Sequence, residues 1–139
     1  MINYNTLVQK SFCDIVRSSL LALLENNISN KSCFYITFNS NYDGVDIPNY
    51  LKLRYTEDIT IVLQHQFWDL NILDDFFSVT LSFNNVVCNI SIPFKAILAF
   101  MDPYVMFGLQ CKSFDIINTN SDSSIRSKIN FIHDKESET

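Results

Sequence analysis

Only two glycines and three prolines punctuate the 139 residues. Turns must therefore be made largely by other residues, and the abundant asparagines are the best placed of these to accept a positive φ. Positive charge is also short, with ten Lys and Arg against fifteen Asp and Glu and a formal net charge of −5. Binding to a phosphate backbone needs a basic surface, so no nucleic-acid partner is expected. No apolar run approaches the roughly 20 residues of a membrane span, so no membrane partner is expected either. The two histidines are His65 and His133, and Cys13, Cys33, Cys88 and Cys111 are scattered without a C-x-x-C spacing. That excludes a local metal-binding motif, and no metal or cofactor is expected. Phosphate loops and nucleophile elbows are missing as well. Met1 runs directly into the polar Asn3-Tyr4-Asn5 with no secretory core, and Asn27-Ile28-Ser29 and Asn89-Ile90-Ser91 carry no weight as glycosylation sites without one. The expectation is a cytoplasmic chain with reduced cysteines.

What the sequence does hold is apolar and aromatic: 47% hydrophobic residues, with twelve Phe and six Tyr. That suffices for the core of one domain. Phe12, Ile15, Val16, Leu20, Leu23 and Leu24 recur at spacings of three and four, which predicts an amphipathic helix over 5–25 ended by Asn26-Asn27. Its apolar stripe must be covered, either by the chain's own sheet or by the matching helix of a second subunit; Phe12, Val16, Leu20 and Leu23 are the residues expected at such a dimer interface.

The rest reads mainly as β-structure. Residues 33–38 form a strand, 39–49 a loop, and 51–55 either one helical turn or an irregular extended piece. A second strand covers 60–70 and is ended by a loop over 69–75. Phe77, Val79, Leu81 and Phe83 then alternate with small polar residues, and after Asn84-Asn85 so do Val86, Cys88, Ile90 and Ile92. Two period-two runs joined at Asn-Asn predict a hairpin with asparagine in the left-handed turn positions. Pro93 suits the first turn of a short helix carrying Ala96, Ile97 and Phe100, which Asp102-Pro103 would end. Residues 105–112 give a last strand, with Gly108 where a neighbour approaches closely. From Ser113 the chain turns Asn/Ser/Asp-rich and then charged, as a flexible tail does. The expected architecture is a small antiparallel β-barrel or sandwich over 1–112, fronted by a helix and holding one short internal helix, with a tail over 113–139.

Residues 60–70 hold the most suggestive pattern. A strand rich in β-branched residues leads into Gln64-His65-Gln66 and then Phe67-Trp68. Alternation would put Gln64, Gln66 and Trp68 on one face and His65 and Phe67 on the other. Amides beside a flat aromatic surface suit contact with another polypeptide, and a polar edge strand explains them equally. A small hydrolase built on His65 with Asp69 or Asp74 is the enzymatic alternative, but with so few titratable groups the residues favour a non-enzymatic β domain that binds polypeptide.

Several stretches resemble a known family in order: 33–38 (CFYITF), 60–70 (TIVLQHQFWDL), 76–81 (FFSVTL), 92–97 (IPFKAI) and 102–110 (DPYVMFGLQ). Over about residues 1–112 the chain resembles an SspB-type proteolysis adaptor of the branch typical of alpha-proteobacteria. The resemblance implies a homodimeric, β-barrel-like adaptor with its N-terminal helices at the dimer interface. It implies binding of ssrA-type degradation tags and delivery of the tagged proteins to the ClpXP protease, through a tail motif that docks on ClpX. By position in the matching stretches, Gln64, His65, Gln66 and Phe67 are expected to line the tag groove, with Ala96 and Phe100 in its other wall. Lys128, Ile129, Phe131 and Ile132 are the nearest counterpart of the docking motif; they continue into an acidic end, unlike the family pattern. A general peptide-binding β module without a protease partner is the alternative.

Overall fold

The structure is a computed structural model that describes residues 1–25, 33–112 and 115–116. Helix α1 (Tyr4–Leu24) opens the chain. Asn3 caps it, its side-chain oxygen accepting the Thr6 N–H at 3.2 Å, which satisfies one of the donors left free at a helix start. Strand β1 (Phe34–Asn39) follows, then a loop and the short helix α2 (Asn49–Arg54), which settles the ambiguous 51–55 stretch as helical. Strands β2 (Asp58–Leu63), β3 (Trp68–Ile72), β4 (Phe76–Phe83) and β5 (Val86–Pro93) come next. A 3-10 turn over Phe94–Ala96 leads into β6 (Ile97–Asp102), and a second over Pro103–Val105 leads into β7 (Phe107–Lys112). The two-residue β8 (Asp115–Ile116) lies beyond it.

The strands form two antiparallel sheets, one ordered β2-β1-β6-β7-β8 and the other β3-β4-β5, and neither closes into a barrel. The chain is thus the sandwich form of the expected mainly-β fold. The hairpin β4–β5 is as the alternation predicts. Asn84 and Asn85 take φ of 52° and 67°, the doubly left-handed turn whose twist matches antiparallel strands. Phe77, Val79, Leu81 and Phe83 are all buried, while Ser78, Thr80 and Ser82 point the other way and are only partly covered. An isolated bridge, Asp46 to Ser91, ties the β1–α2 loop to β5.

One core fills the space between the sheets and α1. Phe34, Phe38, Phe77 and Phe100 are fully buried in it, and the rings of Phe34 and Phe100 sit 5.1 Å apart. Each such side chain contributes about 1.5–3 kcal/mol over leaving it in water. Phe12, Val16 and Leu20 belong to the same core and Leu23 packs against it. The stripe expected at a dimer interface is therefore covered by the chain's own sheets, because a helix laid across a sandwich must bury its apolar side there first.

Three further expectations change. The strand foreseen over 60–70 is two strands in different sheets, with a break after Leu63. The short helix after Pro93 is only a 3-10 turn, and Ile97 and Phe100 lie on β6. On that strand the successive residues Ala99 and Phe100, which point to opposite faces, are both buried, so its sequence loses the alternation that marks a half-exposed strand. Part of the 69–75 loop is strand β3, and the 113–139 tail lies outside the described residues except for β8. Gly108 is approached as foreseen: a Cβ there would come 3.2 Å from the Met101 Cγ on the neighbouring strand.

Candidate peptide-binding site

The break after Leu63 is where the two sheets are joined. Gln64, His65 and Gln66 form a tight turn in which the Gln66 N–H donates to the Gln64 carbonyl at 2.5 Å, with His65 at φ 57°. A hydrogen bond spanning two residues about a central positive φ is γ-turn geometry, a costly conformation that the flanking strands hold in place. His65 and Gln66 are exposed and Gln64 is half-buried. Phe67 turns back and packs against the core.

Trp68 opens β3 opposite Thr80, and 48% of it is exposed. It belongs to the second sheet, so Gln64, Gln66 and Trp68 do not share a strand face. Beside it Asp69 has φ 53° and the β3–β4 register shifts, so this edge strand is kinked. The Thr80 hydroxyl donates to the Asp69 carboxylate at 3.4 Å and accepts from the Asn89 side chain at 3.0 Å.

The other sequence-predicted groove residues lie elsewhere. Ala96 and Phe100 are each 1% exposed and belong to the core. They support the sheet end from beneath and line no surface. Of the expected set, only Gln64, His65 and Gln66 come together at the surface. The docking residues Lys128, Ile129, Phe131 and Ile132 lie outside the described residues. Asp69 is engaged with Thr80, and Asp74 forms an ion pair with Arg17 at 3.4 Å. Neither carboxylate is hydrogen-bonded to His65 among the described residues, and the dyad a hydrolase would require is not assembled. No group of three or more His, Cys, Asp and Glu among them could hold a metal ion.

Strand registry shows what else lies at this end. Leu63, the last residue of β2, pairs with Phe34, and Met101 near the end of β6 pairs with Tyr35. The Gln64–Gln66 turn, the start of β1 and the β6–β7 connection are therefore neighbours along one border of the larger sheet. That connection carries four successive large apolar residues at the surface: Tyr104 at 53%, Val105 at 61%, Met106 at 84% and Phe107 at 38% exposure. Only Phe107 has a ring partner, Phe100 at 6.4 Å. The sequence marks this stretch by four large apolar residues in a row after Asp-Pro, a pattern read as the entry to a core strand.

Between turn and connection lie Cys33 and Asp102. Burial pushes the Cys33 thiol above its ordinary range, opposed by a hydrogen bond with the Tyr35 side chain and aided by the Asp102 charge. Burial likewise raises the Asp102 carboxyl, and the nearby Tyr104 and Val105 N–H groups pull the other way. Its Oδ1 is buried with no hydrogen-bond partner among the described residues. A second surface feature is an apolar recess of about 320 Å³ lined chiefly by Tyr4, Leu7, Val8, Phe12, Ile15 and Leu109 between α1 and β7.

The family model for stringent starvation protein B matches residues 6–137. This covers most of the chain, and the chain belongs to that family. No curated protein matches it. Membership supports an adaptor role in general terms, and no helix among the described residues is long and apolar enough to cross a membrane.

Proposed function

We propose that this member of the stringent starvation protein B family is a cytoplasmic adaptor. In this reading it holds ssrA-type degradation tags in extended form and delivers the tagged proteins to ClpXP, its tail docking on ClpX. The observation that carries the reading is the Gln64–Gln66 turn, which presents polar side chains at the junction of the two sheets. An unstructured tag offers mainly backbone amides and small side chains, and a rim of exposed side-chain amides at the end of a rigid sheet can pair with them. Ordering the tag costs several kcal/mol, so binding in the micromolar range, about 8 kcal/mol net, is expected. Such affinity suits an adaptor that must release its cargo.

Residues 117–128 separate Ile116 from Ile129 in sequence, and a random-coil linker of that length would have an r.m.s. span of roughly 20 Å. In a homodimer, two tails would raise the effective affinity for a ClpX ring without new contacts. The test is a fluorescence anisotropy titration of a labelled ssrA tag peptide, with intact protein and with protein truncated after Asn120. Both should bind, and the double variant Gln64→Ala/Gln66→Ala should bind at least several-fold more weakly. Only the intact chain should accelerate degradation of a tagged substrate by ClpXP. Binding without any protease effect would favour the general peptide-binding module, and absence of binding would overturn the proposal.

A further inference from the structure

We infer that the β6–β7 connection is the second half of the peptide site and takes a large apolar side chain of the bound segment. This rests on the reading above and adds the residues and the spacing that select the peptide. The connection is continuous with the Gln64–Gln66 turn along one border of the sheet, since Phe34 pairs with Leu63 and Tyr35 with Met101. Only β1 lies between β2 and β6, so two strand spacings, about 10 Å, separate the two rims. An extended polypeptide advances about 3.3 Å per residue. A segment whose polar residues meet Gln64 and Gln66 thus brings the residue about three positions away onto the connection.

The chemistry offered there is apolar and pre-shaped. Val105 and Met106 are 61% and 84% exposed, and Met106 is held at φ 57° with its N–H on the Pro103 carbonyl at 3.0 Å. The connection leaves β6 at Asp102, whose Oδ1 is buried, so its first residue is held at the sheet end. Exposed aliphatic side chains on a turn of fixed backbone offer apolar area against which one aromatic or long aliphatic anchor can be buried. The occupant is therefore an extended polypeptide with a polar stretch and, about three residues along, a single large apolar residue.

The experiment compares three proteins by anisotropy with a labelled peptide of that pattern. They are wild type, Val105→Ser/Met106→Asn, and the control Val86→Ser/Val87→Ser at the exposed start of β5. Asparagine tolerates the positive φ of position 106, so the fold is retained. The connection variant should bind about tenfold or more weakly, as loss of an interface anchor does, and the control should bind like wild type. Replacing the peptide's apolar residue by Ser should weaken wild-type binding to the same degree and leave the connection variant unaffected. Equal affinity of wild type and connection variant overturns this inference while sparing the tag-binding reading. No binding by wild type defeats that underlying reading instead. A connection variant that changes sedimentation but not peptide affinity would assign the surface to a second copy of the chain, and this also overturns the inference.

Discussion

Thr37 on β1 and Thr60 on β2 face each other with their hydroxyl oxygens 2.7 Å apart, at 6% and 2% exposure. Burying a hydroxyl is tolerable only when it is hydrogen-bonded, and here each supplies the other's partner. The pair joins β1 to the edge strand β2, which ends at the candidate site.

Replacing either threonine by valine should destabilise the domain by about 1–3 kcal/mol, since it strands the remaining hydroxyl. The double variant Thr37→Val/Thr60→Val should lose much less than the sum, because both polar groups then leave together. Urea unfolding of the four proteins measures this, and additive losses would show that the hydroxyls are not coupled.

Asp102 gives a pH dependence of definite sign. Its folded pKa lies above the ordinary carboxylate value because of burial, so the folded state holds its proton more tightly than the unfolded chain does. Stability from this group is full at pH below the ordinary carboxylate range and declines as pH rises through the raised folded value. Asp102→Asn removes the charge at nearly unchanged size. The variant should be more stable than wild type at pH 7, with the difference shrinking toward pH 3. A difference in melting temperature that does not change with pH would sink the assignment.

Dimerisation, if it uses α1, has to use what the core leaves free. Phe12, Val16 and Leu20 are buried within the chain, whereas Tyr4 and Leu7 are 67% and 52% exposed beside the recess against β7. Leu7→Asp should therefore turn a dimer into a monomer in sedimentation experiments, with the melting temperature of the monomer fold little changed. A dimer that persists in this variant would place the contact away from the α1–β7 recess.

The legible parts of the sequence were those where one face is wet. Helix α1 showed in its three-and-four spacing and the β4–β5 hairpin in strict alternation, down to Asn84-Asn85 at its turn. Strand β6 was misread because Ile97, Ala99 and Phe100 are all buried; a strand covered on both faces has no period, and Ala96, Ile97 and Phe100 also fit a helix. The Gln64–Gln66 turn was hidden because it contains neither glycine nor proline, and its positive φ falls on His65, held by strands on either side. The turn's residues were singled out from the sequence, but Trp68 was placed with them by an alternation that stops at Leu63. The exposed Tyr104–Phe107 connection was missed because apolar residues in a row signal burial, and only the fold shows these to be outside.

The strand order has a spatial consequence. β2 and β8 are the two lateral edges of the larger sheet, with three strands between them, so these edges lie about 19 Å apart at ordinary strand spacing. On the proposed reading, cargo at the Gln64 turn and a tail that continues beyond β8 would lie at opposite edges of the sheet and would not compete for room.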